Sequence, residues 1–130
     1  MREIKFRGFS ETLNKWVIGV PYFSEGNWWI LVDENTKSED IGTGSYFVDK
    51  NSIGQYTGLK DKNGVEIYEG DIVKTKNSLY KVIYDKCCFW GIDEMGKYPI
   101  YQIKHYIMED EIFEVIGNIY ENPELLKGKI

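Results

Sequence analysis

The segment from Gln55 to Val73 reads QYTGLKDKNGVEIYEGDIV and carries the strongest local structural signal in the chain. At its centre, DKNG at residues 61–64 predicts a tight hairpin turn, because Asn and Gly tolerate positive φ angles and Asp can accept hydrogen bonds from the backbone that follows it. We expect strands on either side of this turn, over residues 55–60 and 65–68. The segment therefore predicts antiparallel β structure.

Turn signals recur at short intervals along the chain, with β-branched and aromatic runs between them. They include EGD at 69–71, KNS at 76–78, WG at 90–91 and GN at 117–118. Further strands are predicted at residues 4–9, 15–20, 28–32, 46–48, 72–75, 80–84, 89–92 and 112–116. This number of short strands predicts a mainly β fold, in which antiparallel strands form a small, SH3-like, partly open barrel with an N-terminal β extension.

Helix is sparse in the sequence pattern. The best candidate is the end of the chain, where Asn122 can cap a helix and Pro123 can occupy its first position. A second short helical turn is predicted around residues 102–110. The polar residues 33–44 are expected to form a loop.

The chain has 130 residues, of which 42% are hydrophobic and 15% aromatic, so it can bury a core of its own without disulfides or metals. No repeat or Pro/Ser/Gly-rich linker divides it. We therefore expect one domain over residues 1–130, with 1–52 and 53–126 as its subdomains if it is subdivided.

Charge and hydropathy limit the classes of partner. The net charge of -5 opposes the electrostatic attraction on which non-specific nucleic-acid binding depends. The longest apolar run, at 28–32, is too short to cross a membrane, and no signal-peptide pattern follows the first residues. We expect a cytoplasmic protein with no membrane partner. The adjacent Cys87 and Cys88 are expected to be reduced, because neighbouring Cα atoms lie closer together than a disulfide usually allows.

Catalytic machinery is hard to assemble from this composition. His105 is the single histidine, so sites built on several imidazoles are excluded. A nucleophile pair would need Cys87 or Cys88 to reach His105, whereas strand alternation predicts one thiol packed and the other outward, which also argues against zinc. Carboxylates at 66–71 and 109–111 are typical of turns and solvated faces, and no phosphate-binding glycine loop is present. We predict no catalytic residues, no metal, no cofactor and no enzymatic activity.

The aromatic residues are the more informative feature. Four tryptophans, Trp16, Trp28, Trp29 and Trp90, could form a platform for sugars or single-stranded bases, or cover a subunit interface. Trp28 and Trp29 cannot both face inward from one regular strand, so one of them should be partly exposed. We favour the subunit interface.

The 55–73 segment, the opening MREIKFR and the closing FEVIGNIYENPELL at 113–126 together resemble the YopX family of phage and prophage proteins. The resemblance implies a phage or prophage origin, a bacterial cytoplasm as workplace and assembly into homo-oligomers. It implies no activity and no catalytic residues. Within the signature, the glycines at 58, 64 and 70 have a structural explanation as positions of unusual backbone angle. The candidate interaction surface combines the unexplained signature residues with three tryptophans: Tyr56, Tyr68, Asp71, Trp28, Trp29 and Trp90.

The sequence is compatible with three functions. The leading hypothesis is a non-enzymatic phage accessory protein, an oligomeric module that binds a host or phage protein. The alternative is a single-stranded nucleic-acid-binding protein that uses exposed tryptophans together with lysines along one rim, namely Lys60, Lys62, Lys74 and Lys76. A hydrolase or nuclease ranks last, because the sequence lacks a compact catalytic set.

Overall fold

The computed structural model describes residues 3–76, 78–100 and 114–127. These residues contain eleven β-strands and two short 3₁₀ turns. The chain forms two compact units, Met1–Tyr56 and Thr57–Ile130, and one strand, β5, runs across the boundary between them.

The N-terminal unit is built on an antiparallel sheet with neighbours in the order β4-β3-β2-β1-β5. Its strands are β1 Phe6–Ser10, β2 Lys15–Ser24, β3 Asn27–Val32, β4 Gly44–Phe47 and the first part of β5 Gly54–Lys60. A 3₁₀ turn at Lys50–Ser52 precedes β5, and the Asp49 carboxylate caps it by accepting the Asn51 N–H at 2.9 Å.

One face of this sheet, which we call the inner face, packs on a hydrophobic cluster. The cluster consists of Val17, Ile30, Val32, Ile41 and Val48, with Phe6, Trp28, Tyr46 and Ile53 packed around it. Strands β2 and β3 come very close at Gly19, where a Cβ would lie 1.9 Å from the carbonyl oxygen of Leu31. Only glycine fits at this position.

The C-terminal unit contains the rest of β5 and a second antiparallel sheet in the order β10-β9-β8-β7-β11. The strands are β6 Glu66–Tyr68, which neighbours β5, then β7 Asp71–Lys74, β8 Leu79–Asp85, β9 Cys88–Asp93, β10 Gly96–Pro99 and β11 Glu114–Asn118. Its core consists of Ile67, Val73, Val82, Phe89 and Ile100, with Leu59, Tyr80 and Val115 packed against it.

The predicted hairpin at residues 61–64 is present. The backbone N–H of Asp61 donates to the Val65 carbonyl at 2.8 Å, and the Asp61 carboxylate accepts the N–H groups of Asn63 and Val65 at 2.8 and 2.9 Å. The three signature glycines all have positive φ, with 86° at Gly58, 81° at Gly64 and 95° at Gly70. Their structural interpretation is confirmed.

The prediction of a mainly β, antiparallel fold is confirmed. In the residues that the structure describes, the strands form two sheets and no closed barrel. The short helix predicted at the end of the chain is a 3₁₀ turn at Pro123–Leu126, and Asn122 is its N-cap residue but makes no capping hydrogen bond through its side chain. The Asn122 Oδ1 accepts instead from the Asn118 N–H at 3.2 Å. The helical turn predicted at 102–110 lies outside the described residues.

The division of the chain at Tyr56 lies within β5. The expectation of one domain over 1–130, with subdomains at 1–52 and 53–126, stays a prediction.

Candidate functional site

The face of the N-terminal sheet opposite the hydrophobic cluster, which we call the outer face, is also apolar. Side chains of directly paired residues in an antiparallel sheet share a face, so the register identifies its members. Across β4, β3 and β2 they form the rows Phe47–Trp29–Tyr22 and Ser45–Leu31–Val20, and across β2 and β1 the pairs Ile18–Arg7 and Trp16–Phe9.

The first row of the outer face is aromatic. Trp29 lies between Tyr22 and Phe47, with ring centroids 6.5 Å from Tyr22 in a stacked arrangement and 5.9 Å from Phe47 edge to face. The polar atoms are occupied within the sheet, since the Tyr22 hydroxyl donates to Ser45 Oγ at 2.7 Å and Trp29 Nε1 donates to the Ser24 carbonyl at 3.1 Å. The row therefore offers ring surface rather than free hydrogen-bond donors.

Four neighbouring apolar side chains of the outer face are each between 37% and 53% exposed: Val20, Tyr22, Leu31 and Phe47. The charged side chain at these strand positions is Arg7, whose guanidinium lies 4.5 Å from the Trp16 ring centroid. A contiguous exposed apolar patch of this kind is typical of a surface that contacts another molecule.

The structure places the three candidate tryptophans in different environments. Trp29 belongs to the outer face, whereas Trp28 projects to the inner face and packs against the hydrophobic cluster. The prediction that their side chains point to opposite faces is confirmed. Trp90 lies in β9 of the C-terminal unit, where its Nε1 donates to the Asp85 carbonyl at 2.8 Å and the Lys97 ammonium lies 4.6 Å above its ring.

The three signature residues of the candidate surface are buried, each at most 5% exposed, so they do not form a surface in this structure. Tyr68 donates its N–H to Asp71 Oδ2 at 2.7 Å and its hydroxyl to Glu66 Oε1 at 3.1 Å, which closes the turn between β6 and β7. Tyr56 donates its N–H to the Lys5 carbonyl at 2.9 Å, and the Lys5 ammonium lies 5.0 Å from its ring centroid. These contacts connect neighbouring segments of the fold.

Comparison with known proteins identifies the family of the chain. The family model described as YopX protein matches residues 5–127. The chain belongs to the YopX family. Its structure is similar to the crystal structure of protein EF1440 from Enterococcus faecalis, with a TM-score of 0.59 and 30% sequence identity over 97% of this chain and 99% of that one. No curated protein matches the chain.

Sequence reasoning did not identify most of the outer face of this YopX-family protein. The signal was present in β2 and β3, where apolar residues occupy both alternating sets of positions instead of one. Val20 and Tyr22 alternate with Gly19 and Pro21, and Leu31 follows the buried Ile30. A strand that is apolar on both faces but lies in a small unit must leave one apolar face near solvent.

In the part of the chain that the structure describes, possible metal ligands and nucleophiles do not form a catalytic or metal-binding group. Among the described residues, no group of three or more His, Cys, Asp or Glu side chains could hold a metal ion. Cys87 is an exposed free thiol in the β8–β9 turn, and Cys88 is a partly buried free thiol at the start of β9. His105 and the carboxylates at 109–111 lie outside the described residues, as does any pairing of His105 with a thiol.

The C-terminal unit has an open cleft of about 430 Å³. Its lining includes one buried carboxylate, that of Asp93. Asp93 Oδ1 accepts the N–H groups of Met95 and Gly96 at 2.8 and 2.9 Å, so it shapes the β9–β10 turn. Burial raises the pKa of the nearby Tyr80 phenol, and the Asp93 carboxylate raises it further, against a hydrogen bond to Ser78 that lowers it. A phenol held neutral in this way is not an activated base or nucleophile.

No helix within the described ranges is both long enough and apolar enough to span a bilayer.

Proposed function

We propose that this YopX-family protein is a non-enzymatic interaction module, and that the outer face of its N-terminal sheet is the contact between copies in a homo-oligomer. The observation that carries the proposal is the unbroken apolar surface formed by Val20, Tyr22, Leu31 and Phe47, in which the polar atoms of the aromatic row are already hydrogen-bonded. Such a surface gains little from contact with water or polar ligands and gains stability when an apolar face covers it.

The size of the surface suits the centre of a protein interface. An aromatic side chain buries roughly 150–250 Å² when fully covered. Four large side chains exposed by 37–53% therefore leave on the order of 300 Å² of apolar surface. A standard interface takes roughly 800 Å² from each partner, with an apolar centre and a polar rim. The outer face supplies the centre of such a contact.

A second copy is an occupant of suitable charge. The rows at the centre of the outer face carry no ionised side chain, so two copies can meet there without repulsion between like charges. Two sheets that pack face to face lie about 10 Å apart and interdigitate their side chains. Arg7 lies on β1, away from the Phe47 end of the face.

The test is the mass of the protein in solution, measured by light scattering or sedimentation. Leu31→Lys places a charge at the centre of the outer face, and we expect it to shift the oligomer towards monomer. Val65→Lys is the matched control, because Val65 is an equally exposed aliphatic residue in the hairpin turn of the other unit. A wild-type protein that is monomeric at all concentrations, or an oligomer indifferent to Leu31→Lys, would refute the proposal.

Single-stranded nucleic-acid binding is the second candidate, favoured by the row of three aromatic rings on a sheet face. The charges count against it. The outer face has one cation, already placed over Trp16, and Lys62 forms an ion pair with Glu114 at 3.4 Å. Quenching of tryptophan fluorescence by an oligonucleotide, weakened by salt and lost in Trp29→Leu, would support this candidate over the first.

A role as a phage or prophage accessory protein in the bacterial cytoplasm belongs to the same proposal. It rests on membership of the YopX family, and the partner beyond the homo-oligomer would be a host or phage protein.

A further inference from the structure

The N-terminal unit has a second feature, whose lining shares Phe47 with the outer face. It is an open cleft of about 420 Å³, where the rings of Phe23 and Trp28 project from the inner face of the sheet. The other lining residues used below are Glu11, Asn27, Asp49 and Lys50.

The aromatic wall of the cleft is accessible. Phe23 and Trp28 are directly paired across β2 and β3, their ring centroids lie 5.5 Å apart, and the planes are tilted by 59°. Phe23 is 59% exposed. The pair therefore forms a wedge in which the Phe23 ring is open to solvent and the Trp28 ring packs on the hydrophobic cluster.

This wedge differs from the other tryptophans of the described chain. Trp16 lies under the Arg7 guanidinium at 4.5 Å and Trp90 lies under the Lys97 ammonium at 4.6 Å, while Trp29 is flanked by two rings. No cation from the described residues lies over Phe23 or Trp28. The fold thus stacks its own cations on two indoles and leaves the Trp28 wedge without one.

The ionised groups around the wedge give it a negative balance. The Glu11 backbone carbonyl accepts the Asn14 N–H at 3.3 Å, but its carboxylate makes no hydrogen bond or ion pair with another described residue and is therefore available. Asp49 caps the 3₁₀ turn through Oδ1 and adds a second negative charge to the lining. Lys50 contributes one positive charge on a long flexible side chain. Two carboxylates and the negative faces of two aromatic rings favour a cation in the cleft.

We propose that this cleft binds an arginine side chain of a partner protein. The planar guanidinium stacks on the Trp28–Phe23 wedge and forms a bidentate hydrogen bond with the Glu11 carboxylate, as its geometry favours. The Trp28 indole N–H, which has no acceptor among the described residues, and the Asn27 amide lie in the same lining and can bind the carbonyl groups of the partner backbone. The Arg7 guanidinium over the Trp16 ring is an example, within this chain, of the guanidinium–indole contact that we propose at Trp28.

Arginine is favoured over lysine for a physical reason. An ammonium is strongly hydrated and makes a point contact, whereas a guanidinium is weakly hydrated, flat and able to stack while it keeps its hydrogen bonds. The identity of the occupant as part of a protein rests on the proposed function of an interaction module, but binding of the side chain itself can be tested without any partner.

The probe is N-acetyl-arginine amide, titrated into the wild-type protein and followed by the indole N–H signal of Trp28 in a two-dimensional NMR spectrum. Trp28→Phe assigns that signal. We expect the signal to shift saturably with the arginine probe and to respond at least about fivefold more weakly to the neutral citrulline analogue, which is nearly the same shape. Glu11→Gln should weaken arginine binding about tenfold. Glu39→Gln, which removes an exposed carboxylate outside the cleft, should leave binding unchanged.

Equal responses to arginine and citrulline, or no response of the Trp28 signal to either, would overturn the proposal. A shift with a disaccharide such as cellobiose but not with arginine would overturn it in favour of a sugar-stacking cleft. Leu31→Lys, which tests the outer face, should not affect the titration. A wild-type protein that binds arginine but does not self-associate would refute only the proposed function. A wild-type protein that self-associates but does not bind arginine would refute only the cleft.

Discussion

Val115 in β11 donates its backbone N–H to Asp61 Oδ2 at 2.9 Å, which joins two residues 54 positions apart in the chain. The other carboxylate oxygen of Asp61 holds the hairpin turn by accepting the Asn63 and Val65 N–H groups. One buried side chain thus fixes the turn of the family signature and the position of β11 together. The structural function of Asp61 is to accept hydrogen bonds from three backbone donors, two in the turn and one in β11.

Replacing Asp61 with Ala should lower the free energy of unfolding by about 3 kcal/mol, because three backbone N–H groups lose a charged acceptor in a poorly hydrated site. The free energy of unfolding of Asp61→Asn should lie between those of the wild type and Asp61→Ala. The asparagine keeps the acceptor for the turn but presents an amide NH₂ to the Val115 N–H. Urea denaturation measures both. Asp33→Ala is the control, because Asp33 accepts similar turn hydrogen bonds at an exposed site and should cost under about 1 kcal/mol. Equal losses at the two positions would contradict the tertiary role of Asp61.

Gly19 should not tolerate even one added carbon. A Cβ there would meet the Leu31 carbonyl oxygen at 1.9 Å, and a backbone oxygen cannot move aside without breaking the β2–β3 pairing. We expect Gly19→Ala to destabilise the protein by about 3 kcal/mol. At Gly42 the nearest atom to a Cβ would be the Tyr46 hydroxyl at 4.0 Å, so Gly42→Ala serves as control and should have little effect. Thermal unfolding compares the two, and similar melting temperatures would show that β2 and β3 can separate locally.

The backbone of the β8–β9 hairpin turn is strained, because non-glycine residues occupy positions of positive φ. Lys86 and Cys87 have φ of 49° and 63°, a conformation that two-residue hairpin turns require and that Asn and Gly adopt more readily. Cys87→Gly should therefore raise the free energy of unfolding by about 0.5–1 kcal/mol. Cys88→Gly, one residue later and inside β9, should lower it by a similar amount, because glycine in a strand loses more chain entropy. Chemical denaturation measures the change in the free energy of unfolding, which should have opposite signs in the two variants. A loss of stability in both variants would rule out strain at Cys87.

Much of the fold could be predicted from the sequence because its signals are local. The hairpin at 61–64 and the strands at 15–20 and 28–32 depend on neighbouring residues, and they appear where expected, although β2 continues to Ser24. Strand β10 is not predicted, because Gly96–Pro99 is short and contains residues that strands disfavour. It forms because all four of its residues pair with β9, which is a tertiary effect.

The candidate site could be predicted only in part. Alternation predicted that Trp28 and Trp29 diverge, which is correct. The burial of Tyr68 and Asp71 could not be read from the signature, because it depends on a hydrogen bond from one backbone N–H to one carboxylate across the β6–β7 turn. When the hydrogen-bond partner of a polar or ionisable motif residue is unknown, the residue suggests a binding site for another molecule. A backbone N–H as the partner cannot be identified from the sequence, because nearly every residue has one.

Tyr80 should make stability depend on alkaline pH. Burial raises its pKa above the ordinary value of 10.0, with a further contribution from Asp93, so the folded state favours the neutral phenol more than the unfolded state does. Its contribution is therefore complete below the unfolded pKa and is lost as pH rises through the folded pKa. The tyrosinate absorbance of the wild type minus that of Tyr80→Phe should show a midpoint above 10.0, and the wild type should lose stability more steeply than Tyr80→Phe over the same pH range. A difference midpoint at or below 10.0 would show that the Tyr80 hydroxyl is hydrated and that the cleft beside Asp93 admits water to it.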